Sequence, residues 1–244
     1  MSQHDPVTQG NETIDLHDQD RALALVAESV LGLWEVVNNL TRLRPTRRSE
    51  YRVTIFGSAR VLPDHWVYAT VRDMATELTR LGATIVTGGG PGLMQAANEG
   101  AARVQPEDRQ RSVGIRVELP FEQDVNPFVG SAYEHRTFFS RLHHFVLVSD
   151  AFVVVPGGIG TVLELMLVWQ LLQVRKLDVP LILVGPMWSG LVDWHRQVML
   201  RPGFELASER DLAIPRCVPD AAEAIAILRE SHAAWKRAGN GAAS

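Results

Sequence analysis

The sequence predicts a doubly wound α/β domain with a mainly parallel sheet, and two patterns predict it. Short, nearly all-apolar runs alternate with helical stretches, the pattern of strands covered on both faces. Three of those runs, Val53–Phe56, Ala83–Thr87 and Ala151–Val155, end directly in glycine-bearing turns. In a Rossmann-like sheet all three turns fall on the carboxyl edge, where ligands bind.

In order along the chain, residues 1–20 are polar and acidic and read as a disordered tail. Residues 21–50 follow as an amphipathic helix and a basic linker. Leu23, Val26, Val30, Leu33, Val37 and Leu40 form its stripe, and Arg42, Arg44, Arg47 and Arg48 its basic end. The stripe has two readings, packing on its own domain or packing on a second subunit. The Rossmann-like, nucleotide-binding catalytic domain is expected over 51–238, with 239–244 as a flexible C-terminus.

Within that domain helices are expected at about 65–81, 93–104, 138–148, 161–175 and 189–200, with a last helix from near Asp220. Val113–Val117 and Pro180–Val184 are further strands, Leu212–Ile214 is a short edge strand, and 118–136 is irregular.

Composition narrows the function. Apolar residues make up 46% and the net charge is −4, so no global charge favours nucleic acid. Cys217 is the one cysteine, which fits a reducing compartment. No apolar stretch reaches the roughly 20 residues of a membrane span. A cytoplasmic protein without membrane or nucleic-acid partners is expected. His143 and His144 are adjacent on a helix and point apart, and nothing has zinc-ligand spacing, so no metal site is expected.

The glycine turns carry the chemistry. Gly157, Gly158 and Gly160 lead with Thr161 into a helix, where loop N–H groups and the positive helix end suit a phosphate. Gly57-Ser58 and Gly88-Gly89-Gly90-Pro91-Gly92 are second and third candidates for nucleotide contact, or simply for close strand–helix packing. The latter lacks G-x-G-x-x-G spacing and a following Gly-Lys-Ser/Thr, which argues against NAD and against a P-loop.

Thr161-Val162-Leu163-Glu164 reads equally as a helix capping box or as part of a site. Geometry shifts the balance toward the site. A helix over 138–148 and a strand over 151–155 each span roughly 16 Å in opposite directions, so the helix start returns beside the Pro156–Thr161 loop. Arg141 lies in that first turn, where the dipole disfavours a cation unless an anion is near. Arg141, Glu164 and the phosphate cradle are therefore expected to converge.

Pro156-Gly157-Gly158-Ile159-Gly160-Thr161-Val162-Leu163-Glu164 resembles the P-G-G-x-G-T-x-x-E signature of the LOG ("lonely guy") proteins. Gly88–Met94 is similar to the second glycine motif of the family, and Phe56-Gly57-Ser58 to its first turn. The resemblance covers about residues 51–215. It implies a cytokinin riboside 5′-monophosphate phosphoribohydrolase, a hydrolase of N-glycosidic bonds that needs no cofactor. Arg141 and Glu164 are then the catalytic pair, and Gly57, Ser58, Gly89, Gly90, Gly157, Gly158, Gly160 and Thr161 hold the nucleotide.

Adenosine 5′-monophosphate (AMP) or an N6-substituted relative is the expected substrate, and a homo-oligomer, a dimer or an assembly of dimers, the expected form. The extra N-terminal helix resembles that of the longer bacterial members. Leu142 stands where the family usually has lysine, and Gln95 where it has glycine. A non-catalytic nucleotide-binding or carrier protein of the same fold is the alternative. Many members were formerly labelled lysine decarboxylases. The two lysines, Lys176 and Lys236, lie outside the glycine loops, so Schiff-base decarboxylation is rejected.

Overall fold

The computed structural model describes residues 19–40, 49–104, 106–107, 109–118, 125–239 and 241, without the side chains of 33–40. The expected acidic tail before residue 19, the arginines of the basic linker and most of the C-terminus lie outside these. The chain divides into two units, 1–46 and 47–244. In the first, helix α1 spans Gln19–Leu40, and Leu23, Val26 and Val30 of the apolar stripe are exposed. The rest of the stripe lies outside the described side chains.

The second unit runs β1 (Tyr51–Phe56), α2 (Trp66–Arg80), β2 (Ala83–Thr87), α3 (Leu93–Ala102), β3 (Ser112–Val117) and β4 (Ser131–His135). It continues through α4 (Phe138–Val148), β5 (Ala151–Val154), α5 (Ile159–Gln173), β6 (Leu181–Val184), α6 (Pro186–Met199), α7 (Glu209–Leu212), β7 (Arg216–Val218) and α8 (Ala221–Arg237). The seven strands lie in the order β4-β3-β2-β1-β5-β6-β7, and every pair is parallel. The fold is thus the doubly wound, Rossmann-like α/β class expected.

Alternation along the strands builds two cores. Val53, Ile55, Ile85, Val153 and Ile182 face α2, α3 and α8. Phe56, Val86, Phe152, Val154, Leu181 and Leu183 face α4, α5 and α6, where Phe145, Leu165, Val168 and Trp188 meet them. Burying both faces is what makes these strands nearly all apolar.

Two strand expectations are corrected. Leu212–Ile214 is not a strand. Ser208 and Asp211 form a reciprocal capping box that starts the short helix α7, ending at Leu212. Pro215 then lacks an N–H, and the edge strand begins after it at Arg216. The stretch 118–136 is not wholly irregular, because Ser131–His135 pairs with β3 over five residues. That strand is an exposed, polar edge, with no apolar run to mark it.

Helices α2 and α3 pack so closely that a Cβ on Gly100 would lie 2.1 Å from the Arg72 carbonyl oxygen. Thr76 Oγ1 also donates to the Gly100 carbonyl at 3.0 Å across this contact. Gly100→Ala is expected to lower unfolding stability by about 1–3 kcal/mol through overpacking, read by urea denaturation. An unchanged midpoint would mean that the helices separate freely.

Candidate active site

The strand order reverses between β1 and β5, so the connections that follow them diverge and leave a crevice at the carboxyl edge. Ser58 ties its three glycine turns together. Its N–H donates to the Pro156 carbonyl at 3.0 Å, and its carbonyl accepts from the Leu93 N–H at 2.8 Å. A Cβ on Gly57 would sit 2.5 Å from Val155 Cγ2, and one on Gly92, at φ +68°, would sit 2.4 Å from the Ser58 oxygen. Only glycine lets these backbones meet. Between them lies a cleft of about 1150 Å³.

One wall is the start of α5. Gly158 is its N-cap, no side chain caps it, and the first intrahelical bond runs from Val162 N–H to the Gly158 carbonyl. The N–H groups of Ile159, Gly160 and Thr161 therefore precede the helical ladder, and those residues line the cleft. The capping box is not formed. The helix begins two residues earlier than expected, which makes Thr161 its third residue and Glu164 its sixth, too far along to cap.

Opposite stands α4, whose start is capped by Thr137, its oxygen accepting from Ser140 N–H. Arg141 leaves the first turn of α4 and places Nη1 3.4 Å from Glu164 Oε1. Each side chain keeps only 12% exposure. Arg141 Nε–H donates to the Ile115 carbonyl of β3 at 2.9 Å, and the guanidinium lies 5.3 Å from the Phe145 ring centroid. Gly88 backs it: a Cβ there would lie 2.4 Å from Nη2.

Burial raises the Glu164 carboxyl from 4.5 to about 7, and Arg141 opposes that rise only in part. Burial likewise lowers Arg141, with Glu164 opposing. Glu164 is thus not held fully ionised by Arg141, as the pairing alone suggests. It gains and loses a proton near neutral pH.

Of the residues marked from sequence, Gly57, Ser58, Gly90, Gly158, Gly160, Thr161, Arg141 and Glu164 line one cleft. Gly89 and Gly157 do not line it. Gly89 takes φ +71° and accepts from Asn126 N–H, while Gly157 packs against the Thr161 side chain. Sequence reasoning missed Arg60, Arg116, Arg136, Glu118 and Glu134, which also line it. The last four sit at or beside the carboxyl ends of β3 and β4, so placing β4 would have pointed to them.

Neither His143 nor His144 lines the cleft. His144 Nδ1 instead lies 2.9 Å from His135 Nε2. Among the described residues no group of three or more His, Cys, Asp and Glu side chains could hold a metal ion. No helix of the described residues is long and apolar enough to cross a membrane.

Fold and site define a doubly wound α/β protein with a buried arginine–glutamate pair at a glycine-rich helix start. A family model described as "possible lysine decarboxylase" matches residues 94–228, more than half of the chain. The chain belongs to this family, that of the LOG-like proteins.

A relative, the pyrimidine/purine nucleotide 5′-monophosphate nucleosidase of Escherichia coli K12, is 30% identical over 145 residues. The match takes in 57% of this chain and 32% of that protein, so this chain aligns with about a third of its curated relative. Among solved structures, the molybdenum cofactor (Moco) carrier protein of Chlamydomonas reinhardtii superposes with a TM-score of 0.52 at 20% identity. That match covers 76% of this chain and 99% of the other. The molybdenum cofactor binding protein of Rippkaea orientalis gives 0.55 at 17% identity, covering 74% and 96%. These likenesses show the shared fold. The decarboxylase in the family description has no lysine to work with, since neither Lys176 nor Lys236 lines the cleft.

The raised carboxyl also predicts a stability trend. Between pH 4.5 and 7 the folded state holds a proton on Glu164 that the unfolded chain has lost, so stability falls as pH rises through that window. Glu164→Gln removes this titration. Its stability relative to the parent is expected to improve by about 3 kcal/mol from pH 4 to pH 8. Denaturant melts at the two pH values check this, and a constant difference would contradict the assigned shift.

Proposed function

We propose that this protein hydrolyses the N-glycosidic bond of nucleoside 5′-monophosphates, AMP or an N6-substituted relative, releasing free base and ribose 5-phosphate. The observation that carries the reading is the Arg141–Glu164 pair at 3.4 Å, set in the same cleft as the amides of Ile159, Gly160 and Thr161. The 5′-phosphate sits on those amides and fixes the sugar. The bond from C1′ to the base nitrogen breaks with its electron pair leaving on the base, and C1′ gains oxocarbenium character.

Glu164 as carboxylate stabilises that charge and takes a proton from the water whose oxygen bonds C1′. A proton is delivered to the departing base, so one water is consumed. Arg141 contacts the phosphate or sugar and orients Glu164. The name of the E. coli relative supports a nucleotide monophosphate substrate. The family departures leave the cleft intact, because neither the buried Leu142 nor Gln95 lines it.

Purified protein incubated with AMP, isopentenyladenosine monophosphate and a pyrimidine monophosphate should release free base from at least one. Glu164→Gln and Arg141→Ala should each lower kcat by roughly 100-fold or more with the fold retained. Because Glu164 acts as a base, kcat/KM should rise with pH through a midpoint near 7. Tight AMP binding without turnover would instead make this a nucleotide-binding or carrier protein.

The same reading takes the protein as a homo-oligomer that buries the exposed Leu23, Val26 and Val30 stripe of α1. The number of subunits given by solution mass should therefore fall when residues 1–44 are removed, and an unchanged number would assign the stripe elsewhere.

A further inference from the structure

Behind the Gly88–Gly90 turn lies a buried polar ring that the proposed chemistry does not use directly. Gly89 N–H donates to Thr87 Oγ1 at 2.9 Å, and Thr87 Oγ1–H donates to Asn98 Oδ1 at 2.6 Å. Asn126 Nδ2 donates both to Asn98 Oδ1 and to the Gly90 carbonyl, each at 3.0 Å, and Asn126 N–H donates to the Gly89 carbonyl at 2.9 Å. The ring is anchored on its far side as well. Asn98 Nδ2 donates to Ser112 Oγ at 3.0 Å and to the Val113 carbonyl at 3.4 Å, and Asn126 Oδ1 accepts from Phe128 N–H.

Both amides are fully used, so their orientations are fixed. Asn98 has no exposure and Asn126 has 5%. Such a network holds one geometry when complete and exposes orphaned polar groups when broken.

The turn it grips has little stiffness of its own. Gly88, Gly89 and Gly90 are successive glycines, and Gly89 occupies φ +71°. Left alone, the peptide on either side of Gly89 is free to rotate and swing a carbonyl oxygen toward the cleft. The ring turns the Gly89 and Gly90 carbonyls toward Asn126 instead. What rests on the turn is the guanidinium of Arg141, whose Nη2 packs on Gly88 so closely that no Cβ fits between them. Only Ile115 and Glu164 hold that guanidinium from its other sides among the polar contacts given above.

We infer that Asn126, locked by Asn98 and Thr87, is a positioning residue that fixes the Gly88–Gly90 turn as the support of Arg141 and thereby sets the Arg141–Glu164 geometry. The kinetic consequence rests on the nucleosidase reading; the geometric one does not.

Two neutral substitutions break the ring from opposite sides. Asn126→Ala removes the grip on the two carbonyls, and Thr87→Val, close to isosteric, removes the acceptor for Gly89 N–H. Each is expected to lower kcat for AMP hydrolysis by roughly 10- to 100-fold, the scale of a displacement near 1 Å. In an Arg141→Ala background the same changes should alter kcat less than about twofold, because the residue through which they act is gone. A structural role without positioning would lower kcat equally in both backgrounds, and that result overturns the inference.

A second readout needs no turnover. In carbon-13 NMR of the Glu164 carboxyl, both variants should titrate at higher pH than the parent, since a loosened Arg141 opposes the effect of burial less. An unmoved midpoint in both overturns the inference whether or not any nucleotide is hydrolysed. If the parent releases no base yet the midpoints move, the nucleosidase reading fails and the positioning role stands.

Discussion

The buried pair of Arg141 and Glu164 is the interaction to which the other parts of this site are fitted. Burying a carboxylate and a guanidinium is costly unless each finds partners that replace water. Arg141 finds the Ile115 carbonyl, the Phe145 ring and Glu164. Glu164 is given Arg141 alone among the described ion pairs, and its raised carboxyl records that this is incomplete compensation. A carboxyl poised near 7 exchanges protons at neutral pH, whereas a fully paired one would remain an inert anion.

Supporting such a pair requires rigid backbone close at hand, and the sheet supplies it through glycine. Ser58 joins the turns after β1, β2 and β5 with two backbone hydrogen bonds, and Gly57 and Gly92 remove the side chains that would hold them apart. Glycine costs conformational entropy on folding and leaves a turn without intrinsic direction. The polar ring of Thr87, Asn98 and Asn126 restores that direction behind the second turn. Close approach and fixed geometry thus come from different residues.

Much of this was readable from sequence, for a physical reason. Strands buried on both faces announce themselves as apolar runs, and the equal reach of an eleven-residue helix and a five-residue strand returns Arg141 to the edge where Glu164 starts. What lacked a one-dimensional signature was missed. The polar edge strand β4 carries no apolar alternation, so Arg116, Glu134 and Arg136 were not placed at the cleft. Asn98 has no mark in the sequence, because its partners Thr87, Ser112 and Asn126 lie 11, 14 and 28 positions away. A capping box and a site share one local pattern at Thr161 and Glu164, so only their neighbours in space tell them apart. The helix start at Ile159 rules out the cap.

Helix α5 shows why the position of Glu164 is difficult to explain by folding alone. It is the single ionisable residue among fifteen, in a helix whose Leu165, Val168 and Trp169 are buried in the core. A glutamine there would cap nothing less, since Glu164 caps nothing, and would spare the chain the desolvation of a carboxylate above pH 7. Carboxyls that cost stability over the range in which they are charged, and that face a cleft rather than a structural partner network, are concentrated at functional sites. The same reasoning applies to Arg141, a cation at the positive end of α4, where the helix field opposes it and only a nearby anion makes the position favourable. Each residue supplies the anion or the cation that makes the other's position tenable.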